Sequence, residues 1–256
     1  MTTNNNINKM NNKGNKKSQQ RRSYDYSNHE FKRGEVFMAN MGHHNAIGSE
    51  QSGYRPIVIL HINKNEDNTT LVGACLTTKD KGRTDLYFHI EVDAHGVAER
   101  SFVCCEHIRT VTISQLREKL YELSELEMAK VNKAMRILLN AENNFNLGKE
   151  KSFDNAEYKR GSIYNINITD LRSDYDNKWE PVPCVILQNN IQNRKSPTLI
   201  VAKINPKGNG DISKPCGITF DFITTIDKQK VDEYIRPAID IEMKVVEKSM
   251  KKTLEI

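Results

Sequence analysis

Phe31-Lys32-Arg33-Gly34 recurs as Tyr158-Lys159-Arg160-Gly161, and Pro56-Ile57-Val58-Ile59-Leu60 recurs as Pro183-Cys184-Val185-Ile186-Leu187, both at a numbering offset of 127. Ile108 to Val111 (I-R-T-V) and Glu127-Met128 recur as Ile223 to Ile226 (I-T-T-I) and Glu242-Met243, both at an offset of 115. Two separate anchors at each of two constant offsets make the chain two copies of one unit, the second shorter in its middle by the difference between the offsets. The expected division is a tail over 1–30, a first domain over 31–142, a polar linker over 143–157 and a second domain over 158–256.

Each copy opens with short runs rich in Val, Ile and Phe, such as Glu35 to Asn40, Pro56 to Ile62 and Leu71 to Leu76, which read as strands. Each copy closes with apolar residues at helical spacing. Leu116, Leu120 and Leu123 predict a helix over 114–123. Leu126, Val131, Met135 and Leu138 predict another over 124–139, with Ser124 and Glu127 as its capping box. In the second copy Asp227 is expected to cap a short helix before Arg236-Pro237, and residues 239–254 to form the last one. The fold class is therefore α+β, two small antiparallel β-rich units with helices appended.

Charge narrows the functional classes. The chain carries a formal +5, but Lys9, Lys13, Lys16, Lys17, Arg21 and Arg22 against Asp25 and Glu30 place +4 of it within positions 1–30. The remainder is close to neutral, so a nucleic-acid site on the folded part must be local. Residues 1–30 are dominated by Asn, Lys, Gln and Ser and read as a flexible tail, either a source of non-specific phosphate attraction or a compositionally biased leader. No apolar run approaches the ~20 residues of a membrane span, and no apolar stretch marks a secretory signal, so a cytoplasmic address is expected. Cys75, Cys104, Cys105, Cys184 and Cys216 lack metal-ligand spacing and are expected to be reduced and mostly buried.

The stretch Gly48-Ser49-Glu50-Gln51-Ser52-Gly53-Tyr54-Arg55-Pro56-Ile57-Val58-Ile59 resembles the MazF/PemK family of toxin endoribonucleases, in which a G-S-E-Q-G-G-x-R-P-V-V-I segment joins the first two strands. Lys32 to Val36, Leu71 to Thr77, Phe88 to Val92 and Glu106 to Thr110 are similar to other family segments. Val185 to Asn190 and Ser196 to Ala202 are family-like in the second copy. The resemblance implies two tandem SH3-like antiparallel β-barrels of the MazF/PemK (CcdB-like) type, each with C-terminal helices. Because the family acts as homodimers, it also implies a covalent pseudo-dimer.

The resemblance further implies a toxin of a toxin-antitoxin system: a sequence-specific, metal-independent endoribonuclease acting on single-stranded RNA by 2′-OH attack, leaving a 2′,3′-cyclic phosphate and a 5′-OH. It implies no cofactor and no metal, a cognate antitoxin partner that also enters DNA-binding complexes, and a homodimer as an open possibility. The alternative readings are a catalytically inactive RNA- or antitoxin-binding protein, or an inhibitor of a target such as gyrase.

By position, the family's catalytic pair falls on Arg55 and Thr77. A guanidinium offers several donors to phosphate oxygens and stays protonated, which suits charge stabilisation and leaves the general base open. Ser49, Glu50, Gln51, Tyr54, His89 and Arg109 are expected to bind RNA or support the site. Glu50 is expected either to orient Arg55 or to face water. Tyr54, Tyr87 and Phe88 are read as base-stacking or core aromatics, and His43 and His44 as candidate bases or idle surface residues. In the second copy Arg55 becomes Val182, Thr77 becomes Asn205 and Arg109 becomes Thr224, while the apolar pattern survives. One competent half and one supporting half are expected.

Overall fold

The structure, a computed structural model, describes residues 24–26, 28–42, 48–64, 69–78, 87–93, 100–140, 158–168, 180–205 and 217–256. The expected linker over 143–157, His43, His44, Cys216 and positions 1–23 of the tail lie outside the described residues.

The first half runs β1 (Glu35–Asn40), β2 (Tyr54–Lys64), β3 (Thr69–Thr77), β4 (His89–Val92), β5 (Ser101–Thr112), a 3₁₀ turn (Ile113–Gln115), β6 (Leu116–Glu122) and α1 (Glu125–Leu138). The second runs β7 (Ser162–Ile168), β8 (Glu180–Ile186), α2 (Asn190–Lys195), β9 (Thr198–Asn205), β10 (Gly217–Asp227), a 3₁₀ turn (Lys228–Lys230), β11 (Val231–Pro237) and α3 (Asp240–Leu254). All strands pair antiparallel along one path, β11-β7-β8-β9-β10-β5-β3-β2-β1-β6, with β4 on β5. Each offset found in the sequence is also a register. Val36 faces Val58 as Ile163 faces Val185, Leu71 faces Val111 as Leu199 faces Ile226, and Glu35 faces Glu122 as Ser162 faces Pro237.

Two expected helices are corrected. Residues 114–123 form the 3₁₀ turn and strand β6, and the short helix after Asp227 is a 3₁₀ turn followed by β11. Leu120, placed at helical spacing, is 38% exposed. Strand β6 instead satisfies the backbone of β1, whose other edge is already taken by β2; tertiary pairing overrides a weak local preference. The capping of α1 is as expected, with Ser124 N–H donating to Glu127 Oε2 at 2.8 Å and Glu127 N–H to Ser124 Oγ at 3.3 Å. The packed structure also starts earlier than residue 31. The Tyr26 ring lies 5.5 Å from that of Phe37, and His29 Nε2 lies 3.2 Å from the buried Glu35 carboxylate.

One large core is assembled from equivalent residues of both halves: Val58 with Val185, Leu60 with Leu187, Ile108 with Ile223, Val131 with Val246, and Met135 with Met250. Each half adds a smaller core of its own on the opposite sheet face, around Phe37, Ile57 and Leu71 in the first and around Ile166, Ile186 and Leu199 in the second.

At the seam Thr224 pairs with Arg109. Thr110 Oγ1 accepts from Ile223 N–H and donates to Ile223 O, both at 3.0 Å. Thr225 Oγ1 accepts from Ile108 N–H at 2.9 Å and donates to Glu106 O at 2.8 Å. The hydroxyls thus stand in for ladder bonds between the two inner strands.

The repeated Lys-Arg-Gly segment has a physical reason in both places. Arg33 Nη2 donates to Leu254 O at the end of α3 (2.8 Å), and Arg160 Nη2 donates to Leu139 O at the end of α1 (3.1 Å). Each guanidinium therefore caps the helix of the opposite half, where unpaired carbonyls and the helix dipole favour a cation. Gly34 and Gly161 sit at φ +92° and +83°, a conformation that L side chains rarely adopt, so the glycine is favoured in both places by its backbone freedom.

Candidate functional site

Extending the β2–β3 register from Ile57↔Cys75 by two residues places Arg55 across from Thr77, on the sheet face shared by Ile57 and Cys75. Both side chains line one open cleft of about 270 Å³, together with Gln51, Tyr54, Pro56, Leu76, Thr78 and Ser101. Sequence position alone gives the pair, but nothing in the spacing points to Ser101 or Thr78.

The Arg55 guanidinium is partly buried and aimed by one bond, Nε to Ser52 O at 3.0 Å. Its Nη groups make no hydrogen bond among the described residues. Cys75 lies beneath this region. Burial pushes its thiol up to about 11, an effect moderated by the Arg109 and Arg55 charges nearby. Two guanidiniums thus converge on one side of the sheet. A third, Arg117, lies 5.9 Å from the exposed ring of Tyr54.

The remaining expected residues divide. Arg109 does not reach into the cleft: its Nη1 donates to Gln51 O at 3.1 Å and holds the loop that precedes Arg55. Ser49 N–H donates to Asp227 Oδ2 at 2.9 Å. Glu50 neither orients Arg55 nor faces water. Its carboxylate accepts from Lys230 Nζ at 2.7 Å and from Asp227 N–H at 2.9 Å, with side chains only 4% and 7% exposed in the Lys230 pair. The loop bearing the family-like segment is thereby bolted to the second half. Gly48 is required there, because a Cβ would lie 2.1 Å from Asp227 Oδ2 at φ +54°. Asp227 was legible only as a helix cap, and no local signal marked Lys230 as the partner of a residue 180 positions away.

His89 lies beside the cleft rather than among its lining residues. Its Nε2 is 2.5 Å from Glu106 Oε1. Tyr87 and Phe88 belong to the core: Phe88 is 5% exposed, and Tyr87 packs on the shared core with its hydroxyl accepting from Asn189 Nδ2 at 3.3 Å. In the second half Val182 is half-buried against the smaller core and Asn205 ends β9, so no guanidinium occupies the position equivalent to Arg55. Among the described residues no helix is long and apolar enough to cross a membrane.

Residues 32–139 match the sequence profile of the PemK-like, MazF-like toxin of type II toxin-antitoxin systems. The chain is similar to Endoribonuclease MazF of Staphylococcus saprophyticus (34% identity over 111 residues, 43% of this chain and 91% of that protein) and to Endoribonuclease EndoA of Bacillus subtilis (32% over 111 residues, 42% and 93%). Solved structures with similarity include Mycobacterium tuberculosis toxin MazF-mt6 (21% identity, 40% of this chain and 92% of that one, TM-score 0.30). A second is an endoribonuclease in complex with its cognate antitoxin from a mycobacterial species (21%, 42% and 92%, TM-score 0.32). With a third of the aligned residues identical across nearly the full length of such relatives, the chain belongs to the PemK/MazF toxin family.

Proposed function

We propose that the chain is the endoribonuclease toxin of a type II toxin-antitoxin system, with a single reaction centre at Arg55 and Thr77. The observation that carries this reading is the juxtaposition of those two side chains, on neighbouring strands and in one open cleft, inside the segment that matches the family. The substrate is single-stranded RNA. Its 2′-oxygen attacks the adjacent phosphorus, the 2′-hydroxyl proton leaves to a base, the P–O5′ bond breaks and the departing 5′-oxygen takes up a proton from a general acid or water, so the products are a 2′,3′-cyclic phosphate and a 5′-OH. Arg55 Nη groups take up the charge that develops on the phosphate oxygens, and the Thr77 hydroxyl donates to the same phosphate.

The second half is a degenerate copy that completes a pseudo-dimer. In support, strand order, register, shared core and helix caps repeat at the offsets of 127 and 115, with β3 and β9 related by 128. Residues equivalent by that repeat also meet one another at the seam, as they do in an isologous dimer. Its role toward the reaction is to hold the loop Gly48–Gly53 through Asp227 and Lys230. A cognate antitoxin covers the cleft, as expected of a type II system.

Purified protein incubated with a long unstructured RNA in the presence of a chelator is expected to cleave it at a short recurring sequence. Arg55→Ala and Thr77→Val are each expected to slow cleavage ~10²–10³-fold while leaving RNA binding measurable. RNA binding without turnover by the wild type would instead identify a non-catalytic binding protein, and equal cleavage by Arg55→Ala would remove the assigned centre.

A further inference from the structure

In β5 the pairing with β3 jumps from Ala74↔Ile108 to Cys75↔Cys104, so residues 105–107 form a bulge. Strand β4 covers the outer side, placing His89 directly across from Cys104. The bulge turns Glu106 back toward that pair. One imidazole nitrogen of His89, the Cys104 sulfur and a Glu106 carboxylate oxygen all lie within 4.8 Å of one another. All three sit at or below the surface: Cys104 is 4% exposed, Glu106 9%, and the His89 side chain 15%.

The existing hydrogen bonds do not explain the whole cluster. Glu106 Oε1 is engaged by His89, and His107 Nε2 stands 3.8 Å from it at the rim. Glu106 Oε2 is buried and meets no hydrogen-bond donor among the described residues. A buried carboxylate oxygen without a donor costs free energy unless something else satisfies it. A thiol, an imidazole and a carboxylate within 4.8 Å of one another form a donor set of mixed softness.

We propose that His89, Cys104 and Glu106 form a zinc-class divalent cation site at the β4–β5 bulge, distinct from the Arg55–Thr77 pair. Sulfur, nitrogen and oxygen donors together suit Zn²⁺ better than Mg²⁺ or Ca²⁺, which prefer oxygen alone. Charge closes as well, because a thiolate and a carboxylate neutralise the dication, and the Cys104 proton is released on binding. Zinc–ligand lengths put tetrahedral ligands about 3.4 Å apart. Metal binding therefore separates His89 and Glu106 from their 2.5 Å contact. Water fills the fourth position. Binding thus exchanges the His89–Glu106 hydrogen bond for two metal bonds. The cleavage reaction itself needs no metal.

The test is a titration of the full chain with Cd²⁺, read by the ultraviolet thiolate-to-metal absorption, and with Zn²⁺ in competition against a chromophoric chelator. The expected result is one equivalent per chain. Cys104→Ser is expected to abolish the absorption, Glu106→Gln and His89→Gln to weaken binding at least tenfold, and Cys184→Ser to change neither. Circular dichroism checks that each variant folds; should Cys104→Ser not fold, the Glu106→Gln and His89→Gln affinities decide. No absorption with wild type, or absorption that survives Cys104→Ser, overturns the site. So does affinity unchanged in both Glu106→Gln and His89→Gln. None of these readouts depends on RNA cleavage, so failure here leaves the catalytic assignment standing.

Discussion

Removing the Lys230 ammonium tests how firmly the second half holds the cleft loop. Glu50 and Lys230 are 4% and 7% exposed at a 2.7 Å contact. At an effective dielectric of ~20, opposite charges at that distance attract by about 6 kcal/mol. Most of that offsets the desolvation of both ions, so the pair contributes little compared with a packed apolar pair. Breaking it is a different matter. Lys230→Met leaves the buried carboxylate with the Asp227 N–H but without its cation, and is expected to destabilise the protein by ~3–5 kcal/mol. Glu50→Gln with Lys230→Met removes both charges while the Gln oxygen can still accept from Asp227 N–H, and is expected to recover most of that loss. Urea unfolding of the wild type, both single variants and the double variant closes a thermodynamic cycle, whose coupling is expected to exceed about 2 kcal/mol. Under conditions where all four remain folded, cleavage by Lys230→Met is expected to fall mainly through kcat, because the loop that leads to Arg55 is loosened while the strands carrying Arg55 and Thr77 stay paired. A coupling within about 0.5 kcal/mol together with unaltered kcat would refute the reasoning.

Further expectations follow from other contacts. Arg33→Met removes the donor to Leu254 O and to Asn132 Oδ1 and is expected to cost about 2 kcal/mol, with unfolding still a single transition because the large core is common to both halves. Burial opposes ionisation of Glu35, but donors from Lys119, the Lys32 N–H and His29 outweigh it and hold its carboxyl below the usual value of 4.5. Its contribution is therefore present above about pH 4.5 and lost as pH falls through the depressed folded value. Glu35→Gln is expected to flatten acid unfolding in that window. Burial raises the Cys75 thiol to about 11 and the Cys184 thiol to about 12, so both are expected to resist iodoacetamide at neutral pH until denaturant is added, followed by mass spectrometry.

How far the site was legible depends on the kind of signal each residue leaves. Arg55 and Thr77 could be placed because they lie inside contiguous segments whose residue types match a family, and strand register then brings them opposite one another. Glu50 left a misleading signal. A charge in a polar loop ordinarily faces water, and its true partner is a lysine in the second half of the chain. The sequence marks Glu106 only as part of a family-like segment and Cys104 only as a buried thiol, because their convergence on His89 depends on a bulge that has no compositional mark.

The amino-acid sequence by itself determined the recurring segments at constant offsets, the strands of alternating or continuous apolar residues, the capping box at Ser124 and the family-like segment around Arg55, since each is written in neighbouring residues or in a constant spacing. Tertiary structure alone decided that residues 116–122 become a strand, that Arg33 and Arg160 cap one another's helices across the molecule, and that Asp227 and Lys230 secure the loop before Arg55. Those outcomes are set by which backbone groups and charges would otherwise be left unpaired once the two halves share a core, and that requirement exists only after the chain has packed.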